Sequence, residues 1–137
     1  MQIRKGKKML IVGIELLIAV LHVIGVGRTS SEKVYVFFTS YFSDLVLPFG
    51  FYFLLILGSE KFEFLRKKWV RTVIMIAIPS GMEILQYFGI YALGLTFDPF
   101  DILCYAIGVI TALMIDLILE KTPLFWNDIR ITQNGIE

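Results

Sequence analysis

A single cysteine, Cys104, and a single histidine, His22, leave this chain little for the commoner chemistries of small proteins. One cysteine cannot build a disulfide scaffold. One cysteine and one histidine on different segments cannot alone make a structural zinc site. No G-x-S-x-G elbow, H-E-x-x-H helix or Walker phosphate loop occurs. Charge is scarce as well: 18% of residues carry it, and 13 basic against 12 acidic side chains leave a net +1. So even a balance gives no hold on nucleic acid, and neither nucleic acid, metal nor cofactor is expected as a partner.

Apolar residues are plentiful instead. They make up 57% of the 137 residues, with 15% aromatic, and the mean hydropathy is +0.76. So short a chain cannot bury that much apolar surface in water, and disorder or a collagen repeat is excluded by the same content. A helix needs roughly 20 apolar residues to cross a ~30 Å hydrocarbon layer. Four stretches qualify: about 9–26, 44–57 (lengthened at its front by the aromatic run Val34–Phe42), 69–90 and 101–119. The expectation is an all-α integral membrane four-helix bundle forming one domain over 1–137, with the lipid bilayer as its partner.

The basic residues orient it. Eleven of the 13 precede the first span, lie between the second and third, or follow the fourth; only Arg28 and Lys33 fall on the other side. Basic loops stay in the cytoplasm, so both termini are expected inside, with loops 27–43 and 91–100 outside. A basic start before an apolar run also has the form of a cleaved signal peptide. Glu15 within that run and the lack of a small-x-small cleavage site argue against it. Trp69 and Trp126 fall at the cytoplasmic boundaries, where indole rings favour the interface. The tail Lys121–Glu137 is expected on or near the membrane surface.

The segment 29–43 has two readings. Thr29-Ser-Ser-Glu32 has the form of a capping box that would start a helix. A helix running from there to Gly58 would be roughly 43 Å long, too long for one upright span. Either it is tilted and kinked at Pro48, or Val34–Phe42 is a separate aromatic element in the outer interface.

Half of the acidic residues lie within or at the edge of the spans: Glu15, Asp44, Glu83, Asp98, Asp101 and Asp116. Charge in hydrocarbon costs roughly 2.5–3.5 kcal/mol on insertion scales, so each needs a partner, a water cavity or a proton. With the orientation above, His22, Asp44, Glu83, Gln86, Asp101 and Tyr105 form an expected cluster in the outer half. Glu83 and Gln86 are three apart and Asp101 and Tyr105 four apart, so each pair shares a helix face. Pro48 frees the carbonyl of Asp44 and Pro79 that of Met75, and freed carbonyls are tolerated where they line a cavity.

Plainer readings stand beside these. Asp98-Pro99-Phe100-Asp101 fits a helix cap with proline at the first position, so both acids can be explained as helix starters. His22 can simply bond a neighbouring helix. Glu15 can pair with His22, although roughly 10 Å of helical rise separates them. Asp116 is expected to meet Lys121 or water. Ala77-x-x-x-Gly81 and Gly108-x-x-x-Ala112 are small-residue pairs, both read as packing inside the bundle, with the oligomeric state left open.

The run Gly81-Met-Glu83-Ile-Leu-Gln86-Tyr-Phe, followed by Phe97-Asp98-Pro-Phe-Asp101-Ile-Leu-Cys-Tyr105-Ala-Ile-Gly108, resembles the VanZ-like family of bacterial membrane proteins. Glu83, Gln86, Asp101 and Gly108 fall on that family's pattern, over about 40 of the 137 residues. The family's loop arginine is replaced by Leu95 and its asparagine by Tyr105. The resemblance implies a bacterial inner-membrane location and a role at the cell envelope. The namesake is associated with resistance to the glycopeptide teicoplanin. Without the loop arginine, the fork that grips phosphate-like anions is missing.

Three functions follow for the outer cluster. The first is a non-enzymatic protein binding a small polar or cationic ligand, or a lipid head group, through Glu83, Gln86, Asp101, Asp44, His22 and Tyr105. The second is a small proton- or cation-coupled transporter titrating at Glu83. The third is an intramembrane enzyme using two carboxylates as acid and base on lipid-linked substrates.

Overall fold

A computed structural model describes residues 3–27, 31–90 and 98–121. Arg28, Thr29, Leu95, Trp126 and the tail beyond Lys121 lie outside them. The described chain is all-α: α1 (Lys5–Gly27), α2 (Glu32–Phe37), a π-helical turn (Phe38–Phe42), α3 (Ser43–Gly58), a 3-10 turn (Glu63–Arg66), α4 (Lys68–Tyr87) and α5 (Pro99–Glu120). It contains no strand among the described residues.

Local chemistry sets the boundaries. Asp98 is extended and its Oδ1 accepts the Phe100 N–H at 2.9 Å, with Pro99 at the first helical position. The proline lacks only an N–H that the first turn would leave unbonded anyway. α4 stops at Tyr87, three residues before the expected end, because Gly89 takes a left-handed φ of 78°. Ile90 N–H then bonds Leu85 O and Gly89 N–H bonds Gln86 O, each at 2.9 Å, closing the helix end.

The ambiguous segment resolves into one continuous run, Glu32–Gly58, of 27 residues. The irregularity is the π turn at Phe38–Phe42, upstream of Pro48. Glu32 is the first helical residue, after Ser31, and no side chain caps it. The expected capping box, which needs Glu32 at the third position, therefore does not form. α2 buries no residue. Its end and the π turn instead cluster Phe37, Phe38 and Phe42, with centroids 4.9–6.3 Å apart.

α3 is the central helix. α5 packs along both α3 and α4, α1 lies on α3 and the π turn, and α3 and α4 touch each other much less. Tyr52, Phe53 and Ile56 from α3 meet Met75, Val109, Ala112 and Ile11 in the core. Both the Glu32–Gly58 run (mean hydropathy 1.6) and α5 (2.4) are long and apolar enough to cross a membrane. α1 and α4 are comparable in length but carry Lys7, Lys8 and Glu15, and Arg71, Glu83 and Gln86, within it.

Of these polar residues Lys7, Arg71, Glu83 and Gln86 are buried. On α4 the buried side chains are Arg71, Met75, Glu83 and Gln86, while Trp69, Val73, Ile78, Ile84 and Leu85 are exposed. α1 buries Lys7 and Ile11 and exposes Met9, Leu16, Val20 and Val23.

The start of α1, the α3–α4 connection and the end of α5 meet at one end of the bundle. There Lys8 Nζ lies 2.8 Å from Glu60 Oε2, the Ile3 N–H donates to Glu60 Oε1 at 2.7 Å, and Lys68 pairs with Glu120. The Lys8 hydrogen bond, then the Ile3 N–H, hold the Glu60 carboxyl below its ordinary value of 4.5. A carboxyl lowered by folding stabilises the protein above its unfolded value and ceases to do so as pH falls through the lowered one. Glu60→Gln should therefore melt below the wild type at neutral pH, with the two midpoints converging as the solution is acidified past 4.5. Calorimetry in one detergent checks this; a gap that persists in strong acid would assign the effect to packing.

Candidate functional site

At the opposite end a cavity of about 560 Å³ opens between α3, α4 and α5. Five of the six clustered residues expected from sequence line it: Asp44, Glu83, Gln86, Asp101 and Tyr105. They come from three helices. Asp44 stands in the first turn of α3, Asp101 in the first turn of α5, and Glu83 and Gln86 in the last turns of α4.

Glu83 is the anchor. It is 5% exposed, accepts the Tyr105 hydroxyl at 3.1 Å on Oε1, and accepts the Asp98 N–H at 3.4 Å on Oε2. Tyr105 therefore fixes the carboxylate from α5, and the α5 cap fixes it from above. Gln86 is 7% exposed, one turn further along the same face. Asp44 and Asp101 line the same cavity from the first turns of α3 and α5. Asp98 is a helix cap, as the plainer reading had it; Asp101 faces the cavity. No basic side chain is among the described lining residues.

His22 does not line the cavity. Its Nδ1 faces the Ser43 hydroxyl at 3.4 Å, while that hydroxyl donates to the Phe38 carbonyl at 3.0 Å. With its single proton so placed, Ser43 is left to accept from His22. His22 thus holds the π turn from behind.

That π turn and the first residue of α3 contribute side chains the sequence reading passed over. Thr39, Ser40 and Ser43 line the cavity beside Asp44. Thr39 donates back to the Tyr35 carbonyl at 2.9 Å, and the five-residue bond from Ser43 to Phe38 spans the widened turn. Such turns rotate the chain beyond them and recur at functional sites. The available signal was the spacing 39, 40, 43, 44, which puts three hydroxyls and a carboxyl on one face. Pro48 and Pro79 also line the cavity, as do Asp44 and Met75, whose carbonyls they free.

A second polar cluster lies at the other end of the bundle, and it corrects the expectation for Asp116. This carboxylate does not meet Lys121 or water. It is 1% exposed and lies 2.8 Å from Arg71 Nη2, with the Tyr52 hydroxyl donating to it at 3.1 Å. Arg71 Nη1 binds the Leu65 carbonyl at 2.7 Å, and the guanidinium stacks over the Tyr52 ring at 5.2 Å. The register carried a signal for this pair. Glu83 follows Arg71 by twelve positions and Asp116 follows Tyr105 by eleven, as antiparallel neighbours joined by a short loop require.

Two further expectations change. Glu15 does not pair with His22: its carboxylate lies against Gly50 of α3, and Oε1 is buried with no hydrogen-bond partner. Of the two small-residue pairs, Gly108 and Ala112 pack inside as expected. Ala77 is exposed, however, and a Cβ at Gly81 would meet nothing within 4 Å, so that pair faces outward.

Among the described residues no three His, Cys, Asp or Glu side chains are grouped to hold a metal ion. Searches for similar proteins find no matching family model, no matching curated protein and no matching solved structure.

Proposed function

We propose that this chain is a small multi-pass membrane protein of VanZ-like type, with both termini in the cytoplasm, whose outer cavity binds a cationic ligand without chemical turnover. The membrane reading is supported by the inverted polarity of α1 and α4. Aqueous monomers do not leave Trp69, Val73, Ile78 and Ile84 in the open while burying Arg71, Glu83 and Gln86. The orientation is supported by the basic residues around Lys8, Lys61 and Lys68, which lie at the end opposite the cavity.

One observation carries the binding reading: Asp44, Glu83 and Asp101, from three helices, converge on one cavity with no described basic neighbour. Such a site repels anions and favours a group that brings both positive charge and hydrogen-bond donors. An ammonium group between Asp44 and Asp101 is attracted by both carboxyl groups and donates hydrogen bonds to them. Its remaining donors face Glu83, on the third helix of the cavity.

Ethanolamine is a suitable soluble probe, with glycerol 3-phosphate as the anionic control. Ethanolamine should raise the unfolding temperature of the detergent-purified protein saturably, and the control should not. The double variant Asp44→Asn/Asp101→Asn should fold, as read by circular dichroism, and lose this response. An ethanolamine response equal in the wild type and the folded double variant, or absent from both, removes the cavity as a cation site.

A further inference from the structure

We infer that the occupant of the cavity is a lipid with a primary ammonium head group, which enters sideways from the bilayer between α3 and α4. The inference rests on the acidic binding site proposed above and names the class of its ligand.

The shape of the cavity carries the first step. α5 packs along both α3 and α4 and forms the back wall, while α3 and α4 touch each other far less. Leu47, Phe51 and Ile78 line the cavity, yet they are 47%, 50% and 56% exposed. A side chain meets both conditions only at a mouth. All three stand on the lateral surface of α3 and α4, in the region that apolar residues expose, so the mouth opens toward lipid tails rather than water.

The distribution of polarity carries the second step. Asp44, Glu83 and Asp101 occupy the outer end, and the walls below them are Leu47, Phe51, Met75, Ile78 and Met82. Phe51 is seven positions beyond Asp44, about 10 Å along the helix. A small hydrated cation would occupy the outer end and leave the apolar half without a partner. An amphiphile matches both halves at once: its charged head reaches the carboxylates, and the start of its chain leaves between Phe51 and Ile78. A volume of about 560 Å³ suits a head group with its first chain carbons.

The third step is the chemistry of the head. A primary ammonium offers three N–H donors, a quaternary ammonium none, and a glycerol head group no charge against that of its phosphate. Three converging carboxyl groups select the first.

The test uses the full-length protein, delipidated in detergent, with dioleoyl phosphatidylethanolamine, phosphatidylcholine or phosphatidylglycerol added singly and retention read by native mass spectrometry. Phosphatidylethanolamine should be retained roughly tenfold or more over phosphatidylglycerol, and Asp101→Asn should lower its retention by a similar factor, as loss of a charge-assisted bond implies. Leu47→Trp and Ile78→Trp narrow the mouth. Each should reduce retention of phosphatidylethanolamine. Val73→Trp, exposed on α4 but outside the cavity, controls for added bulk. Equal retention of the three lipids, or retention untouched by both mouth variants, overturns the lipid inference. If ethanolamine still acts through Asp44 and Asp101 in that case, the acidic site stands and its ligand is soluble. If neither ethanolamine nor phosphatidylethanolamine depends on those carboxyls, the site itself is lost.

Discussion

Asp116→Ala should destabilise the bundle by about 3–5 kcal/mol, the range seen when one partner of a buried ion pair is removed. The carboxylate is 1% exposed and takes both the Arg71 guanidinium at 2.8 Å and the Tyr52 hydroxyl at 3.1 Å. Removing it leaves a positive charge enclosed by Tyr52 and the bundle, where water cannot solvate it, and also orphans the Tyr52 donor. The loss reflects the stranded charge more than the worth of the pair. The double variant Arg71→Met/Asp116→Leu should therefore recover most of it. Recovery should stop short of wild type, because Arg71 Nη1 also bonds the Leu65 carbonyl at 2.7 Å and so ties α4 to the 3-10 turn. One such bond contributes about 1 kcal/mol. Glu120→Ala makes the contrast: its pair with Lys68 is exposed and should contribute less than about 1 kcal/mol. Equilibrium unfolding in mixed micelles, followed by circular dichroism, ranks the four proteins. If Asp116→Ala unfolds like Glu120→Ala, the pair is wet and its burial carries no energy.

That pair also marks where the sequence stopped being readable. Hydrophobic runs give the order and approximate extent of the helices, and their alternating direction along the chain assigns Asp44, Glu83 and Asp101 to one end of the bundle. Local chemistry was legible where it is short-ranged. The Asp98-Pro99 cap, and the carbonyls freed by Pro48 and Pro79, depend on residues within one turn. What a run of apolar residues conceals is the rotation of each helix about its axis. Apolar side chains occupy both the buried and the exposed faces of these helices, so periodicity no longer separates inside from outside. Hence Gly81 and Gly108, each in a small-x-x-x-small pattern, could not be told apart, although one faces outward and the other α3. The same blindness gave Glu15 a partner on its own helix, where rotation instead sets it against Gly50. The π turn was hidden for another reason: it inserts a residue's worth of rotation that no pattern in Phe38–Phe42 announces.

Gly81 and Gly108 therefore form a matched experiment. Each lies inside a helix, so alanine at either position brings the same gain in helix propensity, about 1 kcal/mol. At Gly81 nothing lies within 4 Å of the added Cβ, and Gly81→Ala should be neutral to stabilising by about that amount. At Gly108 the Cβ would be driven well inside contact with the Leu45 carbonyl oxygen, and the carbonyl carbon lies at 3.0 Å. Backbone cannot step aside as a side-chain tip does, so α5 has to move away from α3. Overpacking of this kind costs about 1–3 kcal/mol and more where the backbone is trapped, and it should outweigh the propensity gain. The displacement also reaches the cavity. Leu45 adjoins Asp44, and Gly108 follows Tyr105 by one turn, so separating the helices draws Asp44 away from Asp101 and loosens Tyr105 from Glu83. Gly108→Ala should consequently unfold at lower temperature than Gly81→Ala. In the fraction that folds, it should weaken the ethanolamine response although no lining residue has changed. Thermal unfolding with and without ethanolamine measures both effects in one series. Equal stability of the two variants would mean that α3 and α5 are further apart than their backbones require. A destabilised Gly108→Ala with an undiminished ethanolamine response would mean that the α3–α5 contact supports the bundle but does not hold the carboxyls in register.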